Sequence, residues 1–279
     1  MKSEINTART LEPEITDCLR RALEEDIGTG DVTSQACVPA DRRATGFFIG
    51  RQRLILAGTE VLPLMFDDPH LCKHDGDTVS DGEIIAEVHG PARRLLECER
   101  TALNFLQRLS GVATLARAFA EQVKGTNCQV LDTRKTTPCL RVLEKRAAAA
   151  GGVTNHRMGL FDAILIKNNH ISAAGGVKQA LENARASSSL PIEIEVRTKA
   201  ELQAALANGA TKLLLDNLTP TEAEEWIREI SGRATVEISG GVTLQSVRAY
   251  AETGADFVSS GAITHSAPAV DISFRLELL

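Results

Sequence analysis

After about residue 123 the chain repeats one pattern: a short apolar run, a polar or glycine residue at its end, then a helical stretch. The runs cover 129–132, 163–167, 192–196, 212–216, 235–239 and 257–261, and the last three end 23 and 22 residues apart, close to the minimum for a strand–helix unit. Near-continuous apolar strands with helices between them require a parallel sheet covered on its outer side. The run ends are Asp132, Lys167, Glu195, Asp216, Ser239 and Gly261. At the C-terminal ends of successive strands such residues converge on one mouth in a (β/α) barrel, whereas an open sheet spreads them along an edge. The pattern predicts a barrel. With six strands found it is irregular or completed by a short strand near 153–156.

The first half reads differently. Short β-like runs at 45–49, 54–57 and 84–88 lie among turn signals, a helix is expected over 11–26, and a long helical pattern runs over 94–123. Ser110-Gly111 should bend or break that helix. The acidic, glycine-broken segment 24–31 reads as a helix exit followed by the next cap. This half is mixed α+β. With 279 residues, 43% of them hydrophobic, the chain can bury a sizeable core.

Several classes of function are disfavoured. An acidic pI of about 5.6 argues against nucleic acid as a partner, and one Trp and one Tyr leave little for stacking on bases. No apolar run reaches membrane-spanning length, and the opening MKSEINTARTLEPEI is too polar for a signal peptide. The six cysteines, at 18, 37, 72, 98, 128 and 139, form no CxxC pair, so reduced thiols in a cytoplasmic protein are expected. Residues 70–75, with two His and a Cys, are read as a solvated turn because no second ligand group stands at zinc spacing. Cys139 is read as a pocket-lining or packing thiol.

The charge pattern points to a small polyanion. Between 132 and 157 six Lys/Arg stand against two acids, in a chain whose net charge is −6. Arg134 and Lys135 follow a short apolar strand, His156-Arg157 follow a glycine pair, and Lys167 ends another strand. Cations grouped against the global charge form a pocket rather than a basic face. Glu195 and Asp216 end adjacent strands, and alternation puts Glu193 and Glu195 on one face. Buried acids need cations or hydrogen bonds. They suit Mg²⁺ between carboxylate and phosphate oxygens, or internal ion pairs with Lys167 and Arg134. The two glycine-bearing ends, Ser239-Gly240-Gly241 and Ser260-Gly261-Ala262, are each a tight turn by itself. Together, on the last two strands, they fall where barrels bind phosphate.

These residues add up to a resemblance that covers nearly the whole chain. It runs through Glu25-Asp26-Ile27-Gly28, Glu99-Arg100-Thr101-Ala102-Leu103-Asn104, Asp132-Thr133-Arg134-Lys135-Thr136, Asn155-His156-Arg157-Met158-Gly159-Leu160, Lys167-Asn168-Asn169-His170, Leu215-Asp216-Asn217, Ser239-Gly240-Gly241 and Gly261-Ala262-Ile263-Thr264-His265-Ser266. The chain resembles the quinolinate phosphoribosyltransferase family. That family usually has Gly where Cys139 stands and commonly a third Gly in place of Val153. Neither change removes a charged ligand.

The resemblance implies an α/β protein with an N-terminal α/β sandwich over 1–112, a C-terminal incomplete barrel of the type II phosphoribosyltransferase kind over 113–270, and a tail, 271–279, packed back on the first domain. It implies transfer of phosphoribose from 5-phosphoribosyl-1-pyrophosphate to quinolinate with Mg²⁺, releasing pyrophosphate and CO₂ and giving nicotinate mononucleotide. Homodimers, or hexamers built from dimers, are implied, with an arginine matching Arg100 completing the neighbour's site. Substrate would meet Arg100, Thr133, Arg134, Lys135, His156, Arg157 and Lys167, with Ser239, Gly240, Gly241, Ser260, Gly261 and Ala262 on phosphate. Lys135, Lys167, Glu195 and Asp216 would carry the chemistry, and Glu195 and Asp216 would hold the metal. The rival readings are a phosphoribosyltransferase for another carboxylated ring, a Schiff-base aldolase using Lys167, and a non-catalytic polyanion-binding protein.

Overall fold

The computed structural model describes residues 13–279, so the start of the expected first helix and most of the polar opening lie outside the described residues. They form two compact units. The first comprises 13–117 with Thr137–Gly152 and Ala267–Leu279; the second comprises Ala118–Thr136 and Val153–Ser266.

The first unit begins with α1 (Pro13–Ile27), which buries Ile15, Leu19 and Leu23, one per helical turn. Asp31 then caps α2 (Val32–Cys37) by accepting the Thr33 and Ser34 amides, so the acidic segment is an exit and a cap as expected. The strands are β1 (Arg43–Gly50), β2 (Leu54–Ile55), β3 (His70–Leu71), β4 (Thr78–Val79) and β5 (Ile84–Pro91), with short α3 (Leu62–Met65) between β2 and β3. A four-stranded sheet has the order β12-β1-β5-β3, its edge supplied by β12 (Ile272–Leu278) running antiparallel to β1. The tail is therefore a strand of this unit. His70 and Leu71, read from the sequence as part of a turn, pair with Glu87 and Ala86 instead.

The long helix α4 (Ala92–Gln122) runs unbroken through Ser110-Gly111, contrary to the expected interruption. Both residues serve packing. Ser110 Oγ accepts the Ala57 amide at 3.0 Å and donates to the Ala57 carbonyl, and a Cβ at Gly111 would lie 2.1 Å from the Pro268 carbonyl oxygen. Helix α5 (Arg141–Gly151) belongs to the first unit, although the sequence reading groups it with the barrel. Its fully buried Glu144 accepts Arg108 Nη2 at 2.8 Å and the Thr137 hydroxyl at 2.7 Å, and Arg146 pairs with Glu60. An amphipathic helix shows that it has a buried face, not which neighbour covers it.

The second unit holds β6 (Gln129–Leu131), β7 (Ile164–Ile166), β8 (Ile192–Val196), β9 (Lys212–Asp216), β10 (Thr235–Ser239) and β11 (Phe257–Ser259). They form one parallel sheet in the order β6-β11-β10-β9-β8-β7. The short strand expected near 153–156 is reduced to a single parallel bridge between Leu131 and Thr154. The barrel is incomplete. Its helices are α6 (Asn168–Ala174), α7 (Val177–Ser187), α8 (Lys199–Ala207), α9 (Pro220–Ile230), α10 (Val247–Ala251) and α11 (Ala262–His265). Along β8, β9 and β10 the apolar residues Ile194, Val196, Leu213, Leu215, Val236 and Ile238 alternate with Glu193, Glu195, Lys212, Leu214, Asp216, Glu237 and Ser239. The first set is buried. Much of the second lines the cavity described next, so the barrel interior is charged.

Candidate active site

One cavity of about 790 Å³ opens at the C-terminal strand ends of the second unit. The sequence-predicted cations Arg134, Lys135, His156, Arg157 and Lys167 all line it, together with Thr133 and the acids Glu195 and Asp216. So do Ser239, Gly240 and Gly241 on one side and Ser260, Gly261 and Ala262 on another. Arg100 is placed elsewhere, exposed on α4 in the first unit.

Local folding explains these positions. Asp132, fully buried at the end of β6, accepts the His156 amide at 2.8 Å and the Asn155 side-chain amide at 2.7 Å. It thereby ties the His156–Arg157 loop to the strand that launches Arg134 and Lys135. Arg157 donates to the Ala163 carbonyl, and Asp162 accepts the Met158 and Gly159 amides, closing the loop. Thr264 donates to the Lys135 carbonyl and Ser260 to the Val242 carbonyl, which joins the two glycine turns to the cation loop and to each other. Gly240 and Gly241 have φ of +94° and +62°, and a Cβ at Gly240 would lie 2.3 Å from Asn217 Oδ1. Only glycine makes that turn cheaply.

Arg134 and Arg157 repel one another. The Arg157 pKa is lowered, first by burial and then by the charge of Arg134. A dianion placed between them would offset the repulsion by its charge, and guanidinium groups pair carboxylates in bidentate fashion.

Beneath the cations lies a charged cluster that sequence reasoning only half found. His156 Nε2 stands 3.3 Å from Glu237 Oε2 and 3.5 Å from Glu193 Oε2. Lys212 Nζ lies 3.2 Å from Glu193 and 3.7 Å from Glu237. Burial by itself would lower the His156 pKa, but the Glu193 and Glu237 carboxylates outweigh it and raise the value to about 9. Glu237 is shifted down in return: burial would raise it, and the His156 bond prevails. The Arg157 amide lies 2.7 Å from Nδ1 and can donate there only while that nitrogen carries no proton, so charging the ring requires this contact to loosen. The three side chains have metal-ligand spacing, with donor atoms within 4.8 Å of one another. Two carboxylates already facing His156 and Lys212 have little need of a third cation. Glu237 sits in the same alternation as Ser239, a signal the sequence carried.

Above this cluster the acids Glu195 and Asp216 end β8 and β9. Lys167 Nζ lies 2.8 Å from Glu195 Oε2, so the ion-pair alternative holds for Lys167. Arg197, a cavity residue that sequence reasoning missed, places Nη2 3.0 Å from Glu195 Oε1 and 2.9 Å from Asp216 Oδ2. Glu195 Oε1 is buried and accepts no protein hydrogen bond of proper geometry. One cation therefore reaches both carboxylates, and it meets the buried Glu195 Oε1 as an ion pair without an aligned hydrogen bond. Hard oxygen donors so arranged fit Mg²⁺. Cys139, expected to pack or to line the pocket, is exposed in the first unit with a left-handed φ of 66°.

Fold and site together define an α/β-barrel enzyme for small polyanions. Comparison with known proteins is more specific. The models for the N-terminal and C-terminal domains of quinolinate phosphoribosyl transferase match residues 31–110 and 112–275. The chain is 41% identical over 262 residues to a probable nicotinate-nucleotide pyrophosphorylase (carboxylating) of Bacillus subtilis, covering 91% of this chain and 90% of that protein. It is 40% identical over 273 residues to the nicotinate-nucleotide pyrophosphorylase (carboxylating) of Mycobacterium leprae, covering 93% and 96%. The solved nicotinate-nucleotide pyrophosphorylase of Francisella tularensis superposes with a TM-score of 0.90 at 37% identity, covering 96% of this chain and 98% of that one. The chain belongs to the quinolinate phosphoribosyl transferase family.

Proposed function

We propose that this enzyme transfers phosphoribose from 5-phosphoribosyl-1-pyrophosphate to quinolinate, with loss of pyrophosphate and CO₂, giving nicotinate mononucleotide. The observation that carries the reading is the gathering of Arg134, His156, Arg157, Lys135 and Lys167 around one cavity that also holds a carboxylate pair. Quinolinate, a dianion, is caged by Arg134, Arg157, His156 and Lys167, and Lys135 faces phosphate. The turns at Ser239–Gly241 and Ser260–Ala262 receive the phosphoribosyl and pyrophosphate groups through backbone amides. Glu195 and Asp216 would hold Mg²⁺, which when bound would supply positive charge to stabilise the departing pyrophosphate. As ribose C1 becomes cationic, the same carboxylates stabilise it. Arg134 and Arg157 hold the ring nitrogen in line with C1, so positioning replaces covalent catalysis. Once glycosylated, that nitrogen is a positive electron sink, and the adjacent 2-carboxylate leaves as CO₂.

The exposed Arg100 completes the site of a neighbouring chain in a homodimer. Six free cysteines and the absence, among the described residues, of any helix long and apolar enough to cross a membrane support a reducing, cytoplasmic setting. Incubation with quinolinate, phosphoribosyl pyrophosphate and Mg²⁺, following CO₂ and nicotinate mononucleotide together, tests the reading. Pyrophosphate release without CO₂ would contradict it.

A further inference from the structure

The carboxylates assigned above to a metal already face a cation. Arg197 Nη2 stands within 3.0 Å of both Glu195 and Asp216. The acids are held in place: the Glu195 side chain is 1% exposed and bound by Lys167 at 2.8 Å, and Asn217 donates to Asp216 Oδ2 at 2.7 Å. Arg197 is the movable member. It follows β8 directly, and its side chain is 44% exposed. A guanidinium is charged at any working pH, so no titration releases it. Two carboxylates with Arg197 and Lys167 sum to zero charge. A divalent cation added beside Arg197 would leave two surplus positive charges at the carboxylate pair, whereas one that replaces Arg197 leaves a single charge, which suits arrival with an anionic pyrophosphate.

We propose that Arg197 is the resident counter-ion of the metal site, which a divalent cation must displace, so that Arg197 sets how weakly the substrate-free enzyme binds metal. This rests on the Mg²⁺ reading above. The test uses the substrate-free enzyme titrated with Mn²⁺, reading the free aquo-ion by electron paramagnetic resonance. Arg197→Gln should bind Mn²⁺ about five- to tenfold more tightly than the wild type, and Arg197→Lys, which keeps the charge, should stay within about twofold. Asp216→Asn should lose binding. Unchanged or weaker binding by Arg197→Gln, with Asp216→Asn still lowering affinity, would overturn the role of Arg197 and leave the metal site standing. Equal tightening by Arg197→Lys would overturn it as well. Binding that ignores Asp216→Asn, or is absent from every form, removes the metal site and the counter-ion together.

Discussion

His156 shows how a single residue is charged by its surroundings. Its folded-state pKa of about 9 lies above the ordinary 6.5, because the Glu193 and Glu237 carboxylates outweigh its burial. A raised value means that the folded state binds the proton more tightly. The stability it contributes is full below about pH 6.5 and is lost as pH rises through about 9. An imidazole NMR titration should find His156 still charged at pH 8, and Glu237→Gln should move its midpoint down; a wild-type midpoint below 7 would refute the cluster. Quinolinate affinity should fall over the same alkaline range as the imidazolium is lost. The cage also sets specificity. Nicotinate lacks one carboxylate and forgoes its charge-assisted bonds to the cage, at a cost of about 1.5–3 kcal/mol, so kcat/KM for nicotinate should be at least ~10-fold below that for quinolinate. Comparable turnover of the two acids would sink the assignment.

At the scale of elements, the ends of β8 and β9 carry the next expectation. Glu195→Gln or Asp216→Asn should cut turnover and weaken its Mg²⁺ dependence while calorimetry finds quinolinate binding largely intact; full Mg²⁺-dependent activity in either would show the ligands misassigned. Cys139 carries a stability prediction, since its φ of 66° favours glycine. Cys139→Gly should be more stable than Cys139→Ala by about 1 kcal/mol in chemical denaturation, the reverse of the order in a helix. What the sequence made legible were elements whose pattern and chemistry coincide. β8, β9 and β10 were read to the residue, because apolar residues facing the helices alternate with charged ones facing the cavity. What it hid depends on neighbours far along the chain. Gly111 looked like a helix breaker because nothing local announces Pro268, and α5 looked like a barrel helix because Glu144 does not name Arg108 as its partner. Arg197 escaped because an arginine just past a strand is ordinarily a solvated charge, and only the strand packing brings it to two acids.

For the whole molecule, the proposed sharing of sites makes the sharpest prediction. Arg100→Ala and Lys167→Ala homodimers should each be nearly inactive. A mixed dimer has one site with both lesions and one with neither, so co-refolding should restore up to about half the wild-type activity per heterodimer. No recovery, with mixed dimers shown to form, would put Arg100 in its own chain's site or in none. The pairing of β1 with β12, from Ala44 opposite Leu278 to Gly50 opposite Ile272, bears on how the chain emerges from the ribosome. The first sheet cannot close until more than two hundred residues after β1 have been translated, and the barrel segments are made in between. During that interval β1 offers an unpaired edge to any strand nearby, so the chain's exposure to aggregation grows with the time taken to translate the segments between β1 and β12.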